Sequence, residues 1–579
     1  MSRLIFSLLL LFTLFLPVHA DSAVKVDVSV RGVEGRLYDN IFAGLKLYLQ
    51  KDNPRLSSTG VKRLHRQAKN DICSALAPFG YYNPVIAGSL EEKKDGWHAI
   101  YDVDSGPAVL VKNLSVVAKG AGCGNKNIIA SLAEFPLKEG AILDQVVYEQ
   151  GKKKLIHVAI GEGFLDAKFS KRTLLINREE NRADIQLVLN TGHQYLFGET
   201  ICSRPILQRE LLDKYLPYRK EDPYRPAKLF ELQSILYKTD YFSRVMVKGL
   251  SEEAENLAIP VELRLTAPEH LNKYTLGVGY ATDTGVKGKV DWSNRLFNSK
   301  GHKIGASFQL SELENVVSLH YTIPRNNPRY DTFTHTLAYQ DKKWEDTTTK
   351  LFSAGVSRIY KGPRFNYSIG MALRDEKYDV GNTSGESTLL IPSINYGLVF
   401  ADDLKKTQNG LKATLGLLGG VKGVVSDASF LQMSVGGKVI ITPLDGWRLI
   451  GRGTIGAILV DSIDELPPSL RFYTGGDSTI RGYKYKSIGT KDSSGTVIGG
   501  RYLVVGSAEV ERRISEQWSV AAFWDVGSAT DDLSLDFYQG AGLGLRFRLP
   551  FGQIRLDFGS AISADSSPIR IHLTVGGDL

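Results

Sequence analysis

From residue 271 onward, apolar and polar residues trade places at almost every step. Ile304, Ala306, Phe308 and Leu310 interleave with Lys303, Gly305, Ser307 and Gln309, and Val317, Leu319, Tyr321 and Ile323 with Ser318, His320 and Thr322. Ala541, Leu543, Leu545 and Phe547 alternate with Gly542, Gly544, Arg546 and Arg548, and Ile569, Ile571, Leu573 and Val575 with Arg570, His572, Thr574 and Gly576. A period of two sends successive side chains to opposite faces of a strand, so this region predicts strands with one oily and one polar face. Earlier in the chain the period changes. Apolar residues at Val61, Leu64, Ala68 and Ile72, at Tyr148, Leu155, Val158 and Ala159, and at Leu229, Leu232, Ile235 and Leu236 each fall on one face of a helix.

Each helix leads into a related turn: Gly80-Tyr81-Tyr82-Asn83-Pro84-Val85, Gly163-Phe164-Leu165-Asp166-Ala167-Lys168, and Asp240-Tyr241-Phe242-Ser243-Arg244-Val245. Strands at Val24 to Val33, Trp97 to Val103, Asp184 to Leu189 and Val261 to Leu265 complete the units. Repeats of about 80 residues are too long for a solenoid and predict three tandem α+β domains. The third copy has Asp240 where the others have glycine, which leaves its boundary the least defined.

The second half must be a sandwich or a barrel, and the start of the chain favours the barrel. Arg3, an apolar run from Leu4 to Leu16, Pro17 and the small-residue exit Val18-His19-Ala20 have the layout of a cleavable secretory signal. The run is shorter than the ~20 residues a helix needs to cross a bilayer. Arg546, Arg548, Arg555 and Asp557 fall on the polar face of strands whose other face suits lipid. At ~9–11 residues per strand plus a turn, the region from Leu271 to the end holds roughly sixteen strands. Closure removes the open edge, whose unpaired backbone groups lipid cannot satisfy. The expected organisation is a mainly β protein: a signal peptide at 1–20, small α+β domains at 21–106, 107–192 and 193–269, and a transmembrane antiparallel β-barrel at 270–579.

Of the 57 glycines, 39 lie from Leu271 onward, which matches strands and tight turns rather than helices. The formal charge of +8 is spread over 71 basic and 63 acidic residues without a run or stripe, so nucleic-acid binding is set aside. Cys73, Cys123 and Cys202 match no metal-site spacing. One pair could bridge in an oxidising compartment, but a buried thiol is the expected role of each. Gly451-Arg452-Gly453-Thr454-Ile455-Gly456 spells a dinucleotide fingerprint but lies in a strand-like stretch with no helix after it. It reads, with Gly540-Ala541-Gly542-Leu543-Gly544, as small residues packed in a barrel wall. With no nucleophile elbow, phosphate loop or zinc helix, neither an enzyme nor a cofactor or metal is expected.

The most informative stretch runs from Arg471 through Gly475, Gly476, Ile480, Arg481, Gly482 and Tyr483 to Gly489. Downstream, Phe523-Trp524-Asp525-Val526-Gly527 puts Asp525 on the face opposite Val520, Ala522, Trp524 and Val526, and Glu509 falls on the same polar face. These motifs resemble the outer-membrane insertases and translocases built from polypeptide-transport-associated (POTRA) domains and a sixteen-stranded barrel. The resemblance is closest to their translocation and assembly module (TamA-type) branch. It covers essentially the whole mature chain, with Leu276 to Asp283 resembling the first strand and three repeats the branch's three POTRA domains.

The resemblance implies a loop tipped by Ile480-Arg481-Gly482-Tyr483 and folded into the lumen. An arginine there needs a partner, because an unpaired buried charge is far costlier than a paired one. The expectation is that Arg481 pairs with Asp525, with Glu509 nearby. The resemblance also implies a weak lateral seam between Tyr274, Gly277, Gly279 and Tyr280 on the first strand and Ile569, Ile571, Leu573 and Val575 on the last. It implies unfolded β-barrel and autotransporter clients and a TamB-like inner-membrane-anchored partner meeting the first POTRA domain. The competing readings are a passive pore or two-partner-type secretion channel, and a component of an inter-membrane lipid-transport bridge.

Overall fold

A computed structural model describes residues 24–203, 205–281, 285–550, 552–563 and 569–577. The expected signal at 1–20 lies outside these residues, as do Asp283 and Leu579.

The front of the chain forms three three-stranded sheets. In the first, β3 (Gly96–Asp104) lies between β1 (Val26–Arg31), to which it runs parallel, and β2 (Val85–Lys93), to which it runs antiparallel. The second repeats this with β6 (Arg182–Asn190) between β4 (Leu110–Lys119) and β5 (Lys168–Asn177), and the third sets β9 (Ala258–Thr266) between β7 (Leu196–Cys202) and β8 (Arg244–Gly249). The central strands alternate as a half-buried strand should: Trp97, Ala99, Tyr101 and Val103 are buried, as are Ile259, Val261, Leu263 and Leu265.

Helix Ser58–Leu76 covers the first sheet. It starts where the Ser57 hydroxyl accepts a hydrogen bond from the Gly60 amide, a cap worth about 1 kcal/mol. Val61, Leu64, Ala68 and Ile72 then recur at helical spacing and are all buried. Helix Gln145–Gly161 does the same for the second sheet with Tyr148, Leu155 and Ala159, while Val158 is only partly buried. In helix Pro226–Lys238 the buried positions are Leu229, Leu232, Ile235 and Leu236. Short helices the periodicity missed, Gly35–Gly44 and Lys126–Ala133 among them, complete the first two layers. The turn after each main helix needs a left-handed residue: Gly80 has φ 90° and Gly163 φ 92°. Asp240 takes the same conformation at φ 65°, which a short polar side chain tolerates better than most. The missing glycine therefore changes the residue and keeps the turn.

The thiols differ from the expectation. None of the three forms a disulfide among the described residues, Cys123 is exposed, and Cys73 and Cys202 are only partly buried.

The second half is one antiparallel sheet of sixteen strands in sequence order, from β10 (Asn272–Ala281) to β25 (Ile569–Gly576). Its apolar side chains point out: Phe308, Leu310, Val317, Leu319, Leu543 and Ile571 are exposed. Arg448, Glu511, Asp525, Arg546, Asp557 and His572 are buried inside. No helix among the described residues is long and apolar enough to cross a bilayer. β10 and β25 are the two ends of the ladder and come into contact, yet among the described residues no backbone pairing joins them.

An arginine-tipped loop inside the barrel

The loop at 460–501 joins β20 (Trp447–Leu459) to β21 (Tyr502–Arg513). Ile463, Leu466 and Leu470 near its base share a buried cluster with Leu389, Ile391 and Phe430 of the wall. The Arg471 guanidinium ties the base together by donating to the Leu466 and Ile498 carbonyl oxygens at 2.8 and 3.1 Å. Farther along, the Lys486 ammonium lies 3.9 Å from the ring centre of Trp344 and 4.9 Å from that of Tyr473, a cation–π seat on the wall.

Gly475 and Gly476 adopt φ 103° and 105°. They close a tight turn in which the Gly476 amide donates to the Ile480 carbonyl at 3.2 Å and the Gly475 amide to the Thr479 hydroxyl at 2.9 Å. That turn presents Ile480, fully buried, and then Arg481, which is 3% exposed.

Arg481 is held on every side of its guanidinium. Nε and Nη2 donate to the two oxygens of Asp525 at 2.7 and 2.9 Å, and the Arg481 backbone amide donates to Asp525 at 3.0 Å. Nη1 donates to Glu509 at 2.9 Å and to Asp557 at 3.0 Å. The Phe523 ring centre lies 3.4 Å from Cζ. Asp525 and Phe523 come from β22 (Trp518–Thr530), Glu509 from β21, and Asp557 from β24 (Gly552–Ala561).

Three carboxylates around one arginine would leave excess negative charge. Arg546 of β23 (Tyr538–Leu549) offsets it by donating to Glu509 at 2.7 Å and Asp557 at 2.5 Å. Arg452 lies 3.6 Å from Asp525 and brings the set to three positive and three negative groups. Such a network is costly to break, because removing one member strands buried charge.

Glycines let the tip reach the wall. A Cβ on Gly482, which has φ 98°, would come within 2.6 Å of the Ser560 backbone. One on Gly540 would overlap the Arg481 carbonyl oxygen. The run Gly540-Ala541-Gly542-Leu543-Gly544 is therefore wall, as expected, and also the seat on which the loop tip rests. Tyr483 packs edge-on against Tyr538, with ring centres 5.8 Å apart.

The structure thus brings Arg481, Asp525 and Glu509 together and sets Ile480, Gly482 and Tyr483 around them. Alternation had placed Arg546 and Asp557 on the inner face but could not assign their partners, because register is a long-range property. Asp477 and His572 carried no signal beyond inward-facing polarity for the histidine. The seam residues lie apart from this cluster. Tyr274 and Tyr280 are exposed on β10, while Gly277 and Gly279 oppose Lys289 and Lys287 of the next strand. Ile569, Ile571 and Val575 are exposed on β25, and Leu573 is partly so.

A sixteen-stranded outer-membrane barrel behind POTRA-type sheets, with an arginine-tipped loop in its lumen, defines the class of protein: an outer-membrane POTRA-and-barrel protein, whose POTRA domains lie in the periplasm. Residues 297–578 match the Omp85 superfamily domain, and residues 27–105 match TamA POTRA domain 1. Residues 297–578 thus form an Omp85 superfamily domain, and residues 27–105 a TamA-type first POTRA domain.

It is 23% identical over 506 residues to the outer membrane protein assembly factor BamA of Nitratidesulfovibrio vulgaris strain Hildenborough. That match covers 83% of this chain and 63% of the relative, so the chain spans less than two thirds of that protein. Among solved structures, BamA from Haemophilus ducreyi lacking POTRA domains 1–3 superposes with a TM-score of 0.69 at 15% identity, covering 81% of this chain and 99% of that one. CdiB from Escherichia coli gives a TM-score of 0.41 at 14% identity, covering 81% of this chain and 90% of that one.

Proposed function

We propose that this protein is a TamA-type subunit that assembles β-barrel proteins of the autotransporter type into the outer membrane. The observation that carries the reading is the junction of β10 and β25, which touch but which no backbone pairing joins among the described residues. An edge with free backbone donors and acceptors can template an incoming strand, so a client hairpin could add there by β-augmentation and leave sideways into lipid. Arg481, Asp525 and Glu509 act as the pin that keeps the loop within the lumen while the seam works. The TamA-type match of residues 27–105 supports a TamB-like inner-membrane-anchored partner at the first module. The boundaries 21–106, 107–192, 193–269 and 270–579 belong to the same proposal.

Cysteine pairs placed at successive positions along β10 and β25 and oxidised in the membrane test the reading. Client insertion should stop when a pair closes and resume on reduction. Insertion that continues through a closed seam would overturn it. A large, permanently open conductance in planar bilayers would favour a passive pore or secretion channel. Lipid changes after depletion, with outer-membrane proteins unaltered, would favour a lipid-transport bridge.

A further inference from the structure

We infer that His572 latches the last seam strand to the lumen loop. Its ring lies on the inner face of β25, 2% exposed, between the outward-facing Ile571 and Leu573. The Gly482 amide donates to His572 Nε2 at 3.0 Å. A backbone amide can only donate, so Nε2 is the accepting nitrogen and the ring proton sits on Nδ1. Nδ1 faces the Asp477 carboxylate in hydrogen-bond contact. Asp477 and Gly482 flank Arg481 in the same loop. One imidazole is therefore gripped from both sides by the segment that carries the pin.

The position of this grip gives it a consequence. Arg481 itself is held by β21, β22 and β24. β25 pairs with β24 on one side and, among the described residues, has no ladder on the other. The histidine adds a second hold on that edge strand. Moving β25 out of the wall must either break the Asp477–His572–Gly482 chain or drag the loop tip off its seat. His572 is thus a positioning residue that couples the loop to the seam and holds the seam shut at rest. This inference rests on the seam reading proposed above.

Hydrogen–deuterium exchange of the full chain in lipid nanodiscs tests it, read at the amides of β25. Asp477→Ala and His572→Ala should each speed exchange roughly tenfold, the scale expected for losing a buried hydrogen bond to a charged group. The double variant should exchange no faster than His572→Ala alone, because that change already removes both bonds of the ring. Asp477→Asn should stay near wild type, since its amide oxygen still accepts from Nδ1–H. Amides of β21 and β22 should not change in any of the four.

Wild-type exchange in Asp477→Ala would overturn the latch, as would multiplicative acceleration in the double variant. If His572→Ala fails to insert, the two Asp477 variants still decide the matter. The cysteine pairs test the functional reading separately. Client insertion through a closed seam removes that reading whatever the exchange shows, whereas unchanged exchange removes only the latch.

Discussion

The front modules and the barrel use the same residue types in opposite places. In the first module Ile41, Leu64, Ile72 and Tyr101 are buried, and charged side chains such as Arg36, Lys46 and Lys93 face water. In the barrel Leu319, Leu543 and Ile571 face out, and Arg481, Asp525, Arg546 and Asp557 are hidden. The solvent sets the sign: water expels apolar surface from the modules, whereas lipid accepts it on the barrel and drives charge inward to find partners. Truncating an apolar side chain should therefore hurt the modules, and deleting a charge should hurt the barrel.

The largest expected effect is in the charge network. Arg481→Ala leaves Asp525, Glu509 and Asp557 facing only Arg546 and Arg452, and removing one partner of a buried ion pair costs about 3–5 kcal/mol. The loop should loosen while the barrel stays inserted, seen as a drop in the temperature at which the folded band is lost in heat-modifiable electrophoresis. An unchanged temperature would remove the energetic basis of the pin.

Next comes the apolar core of a module. Leu64→Ala should destabilise the first module by about 2–5 kcal/mol, measured by pulse proteolysis of the full chain in urea. The same truncation at Leu319 should cost far less, because lipid is as apolar as leucine. Equal losses at the two sites would break the contrast. Reversing the polarity sharpens it: Leu319→Arg should cost up to about 2–4 kcal/mol, depending on depth in the bilayer.

Titration of His65 gives the smallest effect. Its Nδ1 lies 2.8 Å from the Tyr101 hydroxyl, and burial holds the imidazole below its ordinary value. The folded module thus favours the neutral ring, and as pH falls below about 6.5 the unfolded chain takes up the proton first. Stability of the first module should be full above that pH and decline below it. A His65→Gln variant should lose the decline in the same proteolysis assay, and a decline of equal size in the variant would assign it elsewhere.

What could be read before the structure followed from period and local chemistry. Val61, Leu64, Ala68 and Ile72 revealed their helix because spacing is local, and Leu543 and Leu545 revealed an outward face for the same reason. Arg481 stood out because an arginine between Ile480 and Gly482-Tyr483 resembles a family motif. Its neighbours Asp557 and Arg546 could be placed on a face but not in contact, since strands far apart in sequence meet only through register and closure. Asp240 misled on the third turn because its left-handed backbone is normally a glycine's. The thiols misled because a lone cysteine carries no pattern that reports its depth. His572 was visible only as one polar residue in an alternating strand, and its partners lie some ninety residues earlier.

The account turns on the arginine tip being folded into the barrel and kept there by its carboxylates. Labelling of Ile480→Cys on intact cells with a membrane-impermeant maleimide tests this, with Leu533→Cys in the β22–β23 turn, at the same end of the barrel, as the exposed reference. The account predicts that Ile480→Cys stays unlabelled while Leu533→Cys reacts, and that adding Asp525→Ala makes the first site reactive. Labelling of Ile480→Cys at the rate of Leu533→Cys with Asp525 intact would contradict it.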